Sequence, residues 1–341
     1  MTRLPRTLGS AVFLYPGRGI VVPMETDKPI LLSGIKPTGI AHIGNYFGAI
    51  KQWVEFQTVG SHQCYFMIAD YHALNSVQNA GDMRELTREL VLTYMAAGIN
   101  PEKVVLFKQS DVPAHTELAW IFDTITTMPY LMRAHAFKDA EAKSKEISVG
   151  TFNYPMLMAA DILLYDAAKV PVGHDQKQHI EYARDTAEKF NRIYGETFML
   201  PEEFIVPEVA VVPGTDGQKM SKSYGNTIPL FSSRAEIQDL VMGIVTDSSG
   251  DRPENVYAIH KLIKSERELE ALYEEHKGKY KALKEALVED LDAFIAPMRE
   301  RYHALASDPR AVTDALEKGG QMARERANVK IEAVRRAVGV A

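Results

Sequence analysis

From Pro29 onward, short apolar runs alternate with stretches of helical periodicity. Ile30-Leu31-Leu32 reads as a strand ending at Ser33-Gly34, followed by a loop, Ile35 to Ile43, and a helix from about Asn45 to Gln57. Gln63 to Ala69 is a second strand, and Asp82 to Ala97 a helix stopped by Gly98. Val104 to Phe107 is a third strand, with a helix from about Ala114. Lys169 to Val172 is a later strand that runs into a helix from about Asp175 to Tyr194. Strands that alternate with helices of this length predict an α/β fold, a doubly wound parallel sheet covered on both faces. In such sheets ligands bind at the carboxyl ends of the strands.

After Thr227 the strand signal fades. Arg234 to Gly243, Glu254 to Lys264 and Leu283 to Arg301 are helical in pattern, the last with an apolar stripe of Leu283, Leu287, Leu291, Phe294 and Met298. Val312 to Ala337 is a further helix of mixed charge. These patterns predict a Rossmann-like domain over 28–232 and an all-helical C-terminal domain over 233–341, whose last helix is free to pack back on the first. Residues 1–27 stand apart: Arg3, Arg6 and Arg18 precede any acid, but Pro5, Pro16, Gly17, Gly19 and Pro23 break any long helix. A leader segment, or a true start at Met24, accounts for them.

Composition narrows the function. A net charge of −6 argues against coating nucleic acid by bulk electrostatics, so binding of that kind needs local basic patches. The single cysteine, Cys64, excludes an intramolecular disulfide and a multi-cysteine zinc site, and suits a reducing, cytoplasmic setting. It sits in an apolar run, where buried filler is the expected role. No run approaches the roughly 18 apolar residues that span a bilayer, so no membrane association is expected.

Two stretches carry chemistry. Pro213 to Thr227, PGTDGQKMSKSYGNT, sets Lys219 and Lys222 three residues apart, with Gly214, Gly217 and Gly225 around them. Two cations on a glycine-hinged loop can close over an anion and release it. The first strand's loop, Ser33-Gly34-Ile35-Lys36-Pro37-Thr38-Gly39, leads into His42-Ile43-Gly44-Asn45 at a helix start, where backbone N–H groups favour anions. Gly44 lets a flat group approach the backbone. Taken alone, His42 is equally a loop histidine and Asn45 an N-cap. Further on, Tyr154, Met158, Asp161 and Tyr165 fall on one helical face. A carboxylate on an otherwise apolar face needs a partner, and an internal ion pair is one answer.

The pair HIGN and KMSKS resembles the two signatures of class I aminoacyl-tRNA synthetases, and Tyr154 to Asp185 resembles the tryptophan branch of that family. The likeness covers the chain from about Ile30. It implies an ATP-dependent ligase, a cytoplasmic homodimer, that joins L-tryptophan to tRNA(Trp) with Mg²⁺ on the nucleotide. Catalysis would come from position and charge stabilisation, through His42, Asn45, Lys219 and Lys222. ATP would lie against Lys36, Pro37, Thr38, Gly44, Asn45, Gly173, Asp175, Gln176, Lys219, Met220, Ser221 and Lys222. Tryptophan would lie against Gly34, Tyr154 and Met158, with Asp161 accepting the indole N–H, while His179 would support the Gly173, Asp175 and Gln176 cluster at the ATP ribose and the substrate ammonium. Asp175 is also a plausible simple N-cap.

Two residues depart from the family pattern: Lys36 where glutamine is usual, and His174 where glutamate is usual. Which of Lys138, Lys143 and Lys145 would reach ATP stays open. A tyrosine-specific synthetase and a tRNA-independent nucleotidyltransferase are the alternatives, although the acid-bearing helix lacks the glutamine expected for tyrosine. The helical domain would read the anticodon. Arg324, Arg326, Arg335 and Arg336 would face either tRNA or water.

Overall fold

The computed structural model describes residues 28–142, 146–172, 177–205, 212–246 and 251–341. Five parallel strands form one sheet in the order β3-β2-β1-β4-β5. They are β1 (Ile30–Ile35), β2 (Gln63–Ile68), β3 (Val105–Lys108), β4 (Lys169–Val172) and β5 (Glu202–Ile205). The order reverses between β1 and β4, and the carboxyl ends there open a crevice suited to ligands.

Between the strands run α1 (Ile43–Asn45), α2 (Lys51–Val59), α3 (Asp70–Ala73), α4 (Ala80–Ala96), α5 (Ala114–Ile125), α6 (Met128–Leu131), α7 (His135–Ala142), α8 (Val149–Leu163) and α9 (Lys177–Tyr194). After the sheet come α10 (Arg234–Met242), α11 (Glu254–His260), α12 (Glu266–Glu275), α13 (Tyr280–Ala306) and α14 (Ala311–Val338).

Alternation along β1 sends Ile30 and Leu32 to one face and Leu31 to the other, and each face has its own core. On one side Tyr65, Met67 and Phe107 meet α5, α8, α9 and the Ala323, Ala327, Ile331 and Val334 stripe of α14. On the other, Leu31, Phe66 and Ile68 meet Ile237 and Val241 of α10, Val256 and Ile259 of α11, and Leu287, Leu291, Ile295 and Met298 of α13. The C-terminal helices therefore share both cores with the sheet, and among the described residues Leu269, Tyr273 and Leu283 form a separate cluster. Within α13, Ile295 rather than Phe294 continues the buried stripe of Leu283, Leu287, Leu291 and Met298; Phe294 is partly buried and stacks on Phe47.

α14 lies directly on β3. A Cβ on Gly319 would stand 1.8 Å from the Leu106 carbonyl oxygen, so only glycine lets the helix come this near the strand. Ion pairs fix it from both sides: Arg335 grips Glu117 through two nitrogens (2.7 and 2.6 Å), and Lys330 reaches Asp166 at 2.6 Å. Arg324 donates to the Asp111 carbonyl and Arg326 pairs with Asp166. Three of the four arginines expected to face tRNA or water thus hold α14 to α5 and to the turns after β3 and α8.

Several elements depart from the sequence pattern. β1 continues to Ile35 because it pairs residue for residue with β2, Gly34 opposite Met67. β3 begins one residue late, at Val105, and runs on to Lys108. The helix expected from Asn45 starts at Ile43, and Tyr46–Ile50 form a π-helical turn before α2. β5 was not anticipated, since its Glu-Glu-Phe-Ile sequence has the acids of an edge strand. α12 was also missed, although Ser265 and Glu268 make a capping box at its start.

Candidate functional site

The two signature segments are joined by backbone. The Ile43 N–H donates to the Ile228 carbonyl (3.0 Å) and the Leu230 N–H to the Ala41 carbonyl (3.0 Å). The chain leaving the lysine loop is thereby stitched to the start of the helix after β1. His42 is the N-cap, and its backbone N–H donates to Asn45 Oδ1 at 3.1 Å.

Lys222 crosses to the β1 loop. Its Nζ stands 3.1 Å from where a Cβ on Gly39 would lie, and Gly39 has a φ of +137° that side-chain-bearing residues rarely adopt. The residue as a whole is exposed, but its ammonium end is tucked against this loop. That partial burial lowers the Lys222 pKa. His42 is buried, with Nδ1 unpartnered. Burial first, and the Lys222 charge second, lower its pKa to about 4, so the imidazole is neutral near pH 7. Gly44 closes the group: a Cβ there would strike the His42 ring at 2.8 Å and meet Met220 at 3.4 Å.

The lysine loop is braced. Met220 is buried and its N–H donates to the Val212 carbonyl (2.8 Å). Asn226, also buried, donates to Asp216 Oδ1 (2.7 Å) and the Lys219 carbonyl (3.2 Å), and accepts from the Ser221 N–H (2.8 Å). Ser221 and Ser223 share a hydrogen bond of 2.8 Å, and Lys219 points outward, exposed. Gly217 and Gly225 have positive φ. Gly214 has a different task, because a Cβ on it would lie 2.2 Å from Asn226 Nδ2. It makes room for the clasp.

On the β1 loop, Lys36 and Thr38 are exposed and Pro37 is buried, with the Thr38 N–H turned back to the Lys36 carbonyl (2.9 Å). Gly173, His174, Asp175 and Gln176 lie outside the described residues, as do Lys143 and Lys145; Lys138 is exposed.

Beyond the ends of β2 and β3 lies a second cluster, around Asp161. Asp161 is 3% exposed, and the internal partners considered from its helical position are present. Oδ1 accepts from Gln109 Nε2 (2.7 Å) and His115 Nδ1 (2.6 Å), and Oδ2 accepts from His72 Nε2 (2.8 Å). Burial raises the carboxyl pKa, but the His115 and His72 bonds outweigh it, and the net effect lowers the pKa. Asp161 is therefore ionised near neutral pH. His115, fully buried, turns its other nitrogen to the Tyr165 hydroxyl at 2.9 Å. Tyr154 and Met158 of α8 are half-buried on the same face, and Tyr154 shares a 3.0 Å hydrogen bond with His179. Gly34 is exposed at the end of β1.

His72, Gln109 and His115 were absent from the sequence reading. Their signal was positional: Gln109 follows β3 directly, while His72 on α3 and His115 in the first turn of α5 belong to the helices after β2 and β3, at the end of the sheet where ligands bind.

With this geometry in place, comparison with known proteins is specific. Residues 24–301 match the class I tRNA synthetases of the tryptophan and tyrosine group. The tryptophan–tRNA ligase of Fusobacterium nucleatum is 44% identical over 318 residues, covering 91% of this chain and 97% of that one. That of Rhodopirellula baltica is 42% identical, covering 91% and 99%. The crystal structure of the tryptophanyl-tRNA synthetase of Campylobacter jejuni, complexed with ADP and tryptophan, superposes with a TM-score of 0.85 at 42% identity, covering 91% and 99%. A sheet with its crevice at the β1–β4 reversal, two lysine- and histidine-bearing segments stitched across it and this level of identity lead to one assignment: the chain belongs to the class I aminoacyl-tRNA synthetases, in their tryptophan branch.

Proposed function

We propose that this chain activates L-tryptophan with ATP to tryptophanyl-adenylate and transfers the tryptophanyl group to the 2′-hydroxyl of the terminal adenosine of tRNA(Trp). Pyrophosphate leaves in the first step and AMP in the second. The observation that carries the reading is the placement of the Lys222 ammonium against Gly39, which brings the lysine loop to the carboxyl end of β1.

In the first step a tryptophan carboxylate oxygen attacks the α-phosphorus and the bond to the β-phosphate oxygen breaks. No enzyme nucleophile is needed, so the protein contributes position and charge. Lys222 and Lys219 would hold the β- and γ-phosphates of ATP, which enters as its magnesium complex with the metal on the phosphate oxygens. Neutral His42 would hydrogen-bond the nucleotide without repelling Lys222, an arrangement its lowered pKa supports. Asn45 fixes the His42 backbone from within the first helical turn. Lys36, Pro37, Thr38, Gly44, Met220 and Ser221 would line the nucleotide side, and Gly173, Asp175 and Gln176 would complete it. On the other side Asp161 would accept the indole N–H between Tyr154, Met158 and Gly34.

The C-terminal helices would contact the tRNA anticodon. We read the working form as a cytoplasmic homodimer; Trp120, 70% exposed on α5, and Met128 just beyond it are large apolar residues that a second subunit would cover. No helix among the described residues is long and apolar enough to cross a membrane.

The test is amino-acid-dependent pyrophosphate exchange with tryptophan and tyrosine in parallel, followed by acylation of tRNA. Exchange with tryptophan and charging of tRNA(Trp) are expected. Exchange with tyrosine alone would move the chain to the sister specificity, and exchange with neither would overturn the reading.

A further inference from the structure

The Asp161 cluster is more heavily bonded than a simple acceptor requires. A carboxylate offers about four acceptor directions, two on each oxygen. Gln109 and His115 take both on Oδ1, and His72 takes one on Oδ2. One direction on Oδ2 is left.

The tautomers follow from the partners. An ionised carboxylate only accepts, so His115 Nδ1 carries a proton, and its Nε2 shares the other hydrogen bond with the Tyr165 hydroxyl. Gln109 is fixed in the same way: its Nε2 donates to Asp161, while its Oε1 accepts the His72 backbone N–H at 3.4 Å. Tyr165 in turn packs on Tyr65 and Phe107, with ring centroids 5.2 and 5.6 Å away. The carboxylate is thus oriented from beneath by a buried chain, Tyr165 to His115 to Asp161.

We propose that His115, held by Tyr165, is a positioning residue for substrate selectivity. With Gln109 it saturates Asp161 Oδ1 and presents Oδ2 to a side chain bearing a single N–H donor. This rests on the reading of Asp161 as the indole acceptor. It extends selectivity to residues that do not touch the substrate: if His115 turned its donor away, Oδ1 would regain an open acceptor direction and Asp161 would be held by Gln109 and His72 alone. A site whose buried acceptor depends on one donor rejects an analogue that lacks the donor.

The experiment compares kcat/KM in pyrophosphate exchange for tryptophan and for β-(3-benzothienyl)alanine, which has sulfur in place of the indole N–H. Tyr165→Phe keeps the packed ring and removes the hydroxyl that orients His115; His115→Phe removes the donor; His115→Asn can return an amide N–H to the Nδ1 position. The expected result is a tenfold or greater fall in the tryptophan-to-analogue ratio for Tyr165→Phe and His115→Phe. The loss should fall on the KM for tryptophan, and His115→Asn should recover most of the ratio. A purely structural role would lower both substrates together and leave the ratio unchanged. That result, with Asp161→Asn still losing selectivity, overturns the positioning role and leaves the Asp161 reading standing. An unchanged ratio in Asp161→Asn as well overturns both.

Discussion

The neutral state of His42 makes a measurable demand on the fold. Burial and the nearby Lys222 ammonium both oppose a second proton, and the folded pKa falls from 6.5 to about 4. The unfolded chain binds a proton at His42 below pH 6.5, whereas the folded chain resists it until about pH 4. Stability from this residue is therefore fully present above pH 6.5, is lost as the pH falls through that window and levels off below it. Between pH 7 and pH 4.5 the loss comes to about 2.5 kcal/mol, from about 1.4 kcal/mol per pKa unit. For a chain of 341 residues the unfolding entropy is about 0.7 kcal/mol/K, so this corresponds to about 3–4 °C in Tm. Carboxylates also titrate across this range, so the informative quantity is a difference between proteins. Wild type and His42→Gln are compared by thermal unfolding at pH 7 and pH 4.5. The wild type should lose about 3–4 °C more than the variant, which has no proton to resist. Lys222→Met removes only the smaller of the two causes, so its additional loss should lie between the two. Equal acid losses in wild type and His42→Gln would refute the argument that His42 is held neutral.

Three further outcomes follow from the same geometry. Lys222→Ala should lower the tryptophan-dependent pyrophosphate exchange rate by on the order of 10²–10³, the effect of losing one preorganised donor, with tryptophan binding by calorimetry little changed; near-normal exchange would remove Lys222 from the phosphate clamp. Gly214→Ala forces Asn226 out of its clasp, so exchange should fall at least tenfold and Tm should fall as well, since each buried group left unpaired costs about 1–3 kcal/mol; wild-type exchange would mean that the loop does not need Asn226. Gly319→Ala improves helix propensity by about 1 kcal/mol yet drives a methyl into the Leu106 carbonyl, and overpacking of about 3 kcal/mol should win. A Tm at or above wild type would show that α14 does not press on β3.

How much the sequence disclosed depended on the range of the interaction. β1 and β2 were readable because both faces of the sheet are buried, which turns each strand into a continuous apolar run. β5 was not: its acids suit an edge position, and nothing local separates it from a loop. The π-helical turn at Tyr46–Ile50 was equally hidden, since Tyr-Phe-Gly-Ala-Ile fits an ordinary helix. In the site, Lys222 and His42 were visible through their motifs, but the reason His42 is neutral lies in burial that no motif reports. The partners of Asp161 are 46 to 89 positions away, and only folding brings Gln109, His115 and His72 to one carboxylate.

The lysine loop illustrates what the folded chain adds to a motif. Three glycines around two lysines suggest a strap free to swing as a whole. The structure divides their roles: Gly225 takes positive φ in open space, whereas Gly214 is small because Asn226 packs against it and Gly217, also at positive φ, because Asn255 does. With Met220 buried at its root and Asn226 bonded to Asp216, Lys219 and Ser221, a rigid swing of all fifteen residues would break a buried network. Motion that preserves those bonds is confined to the exposed side chains of Lys219 and Lys222 and to the backbone at Gly225. In the proposed reaction, phosphate capture then requires the lysine heads to move more than the loop does. In that case the ammonium of Lys222 against Gly39 marks where the clamp begins, and the stitched backbone of Ile43 with Ile228 is the fixed frame against which it closes.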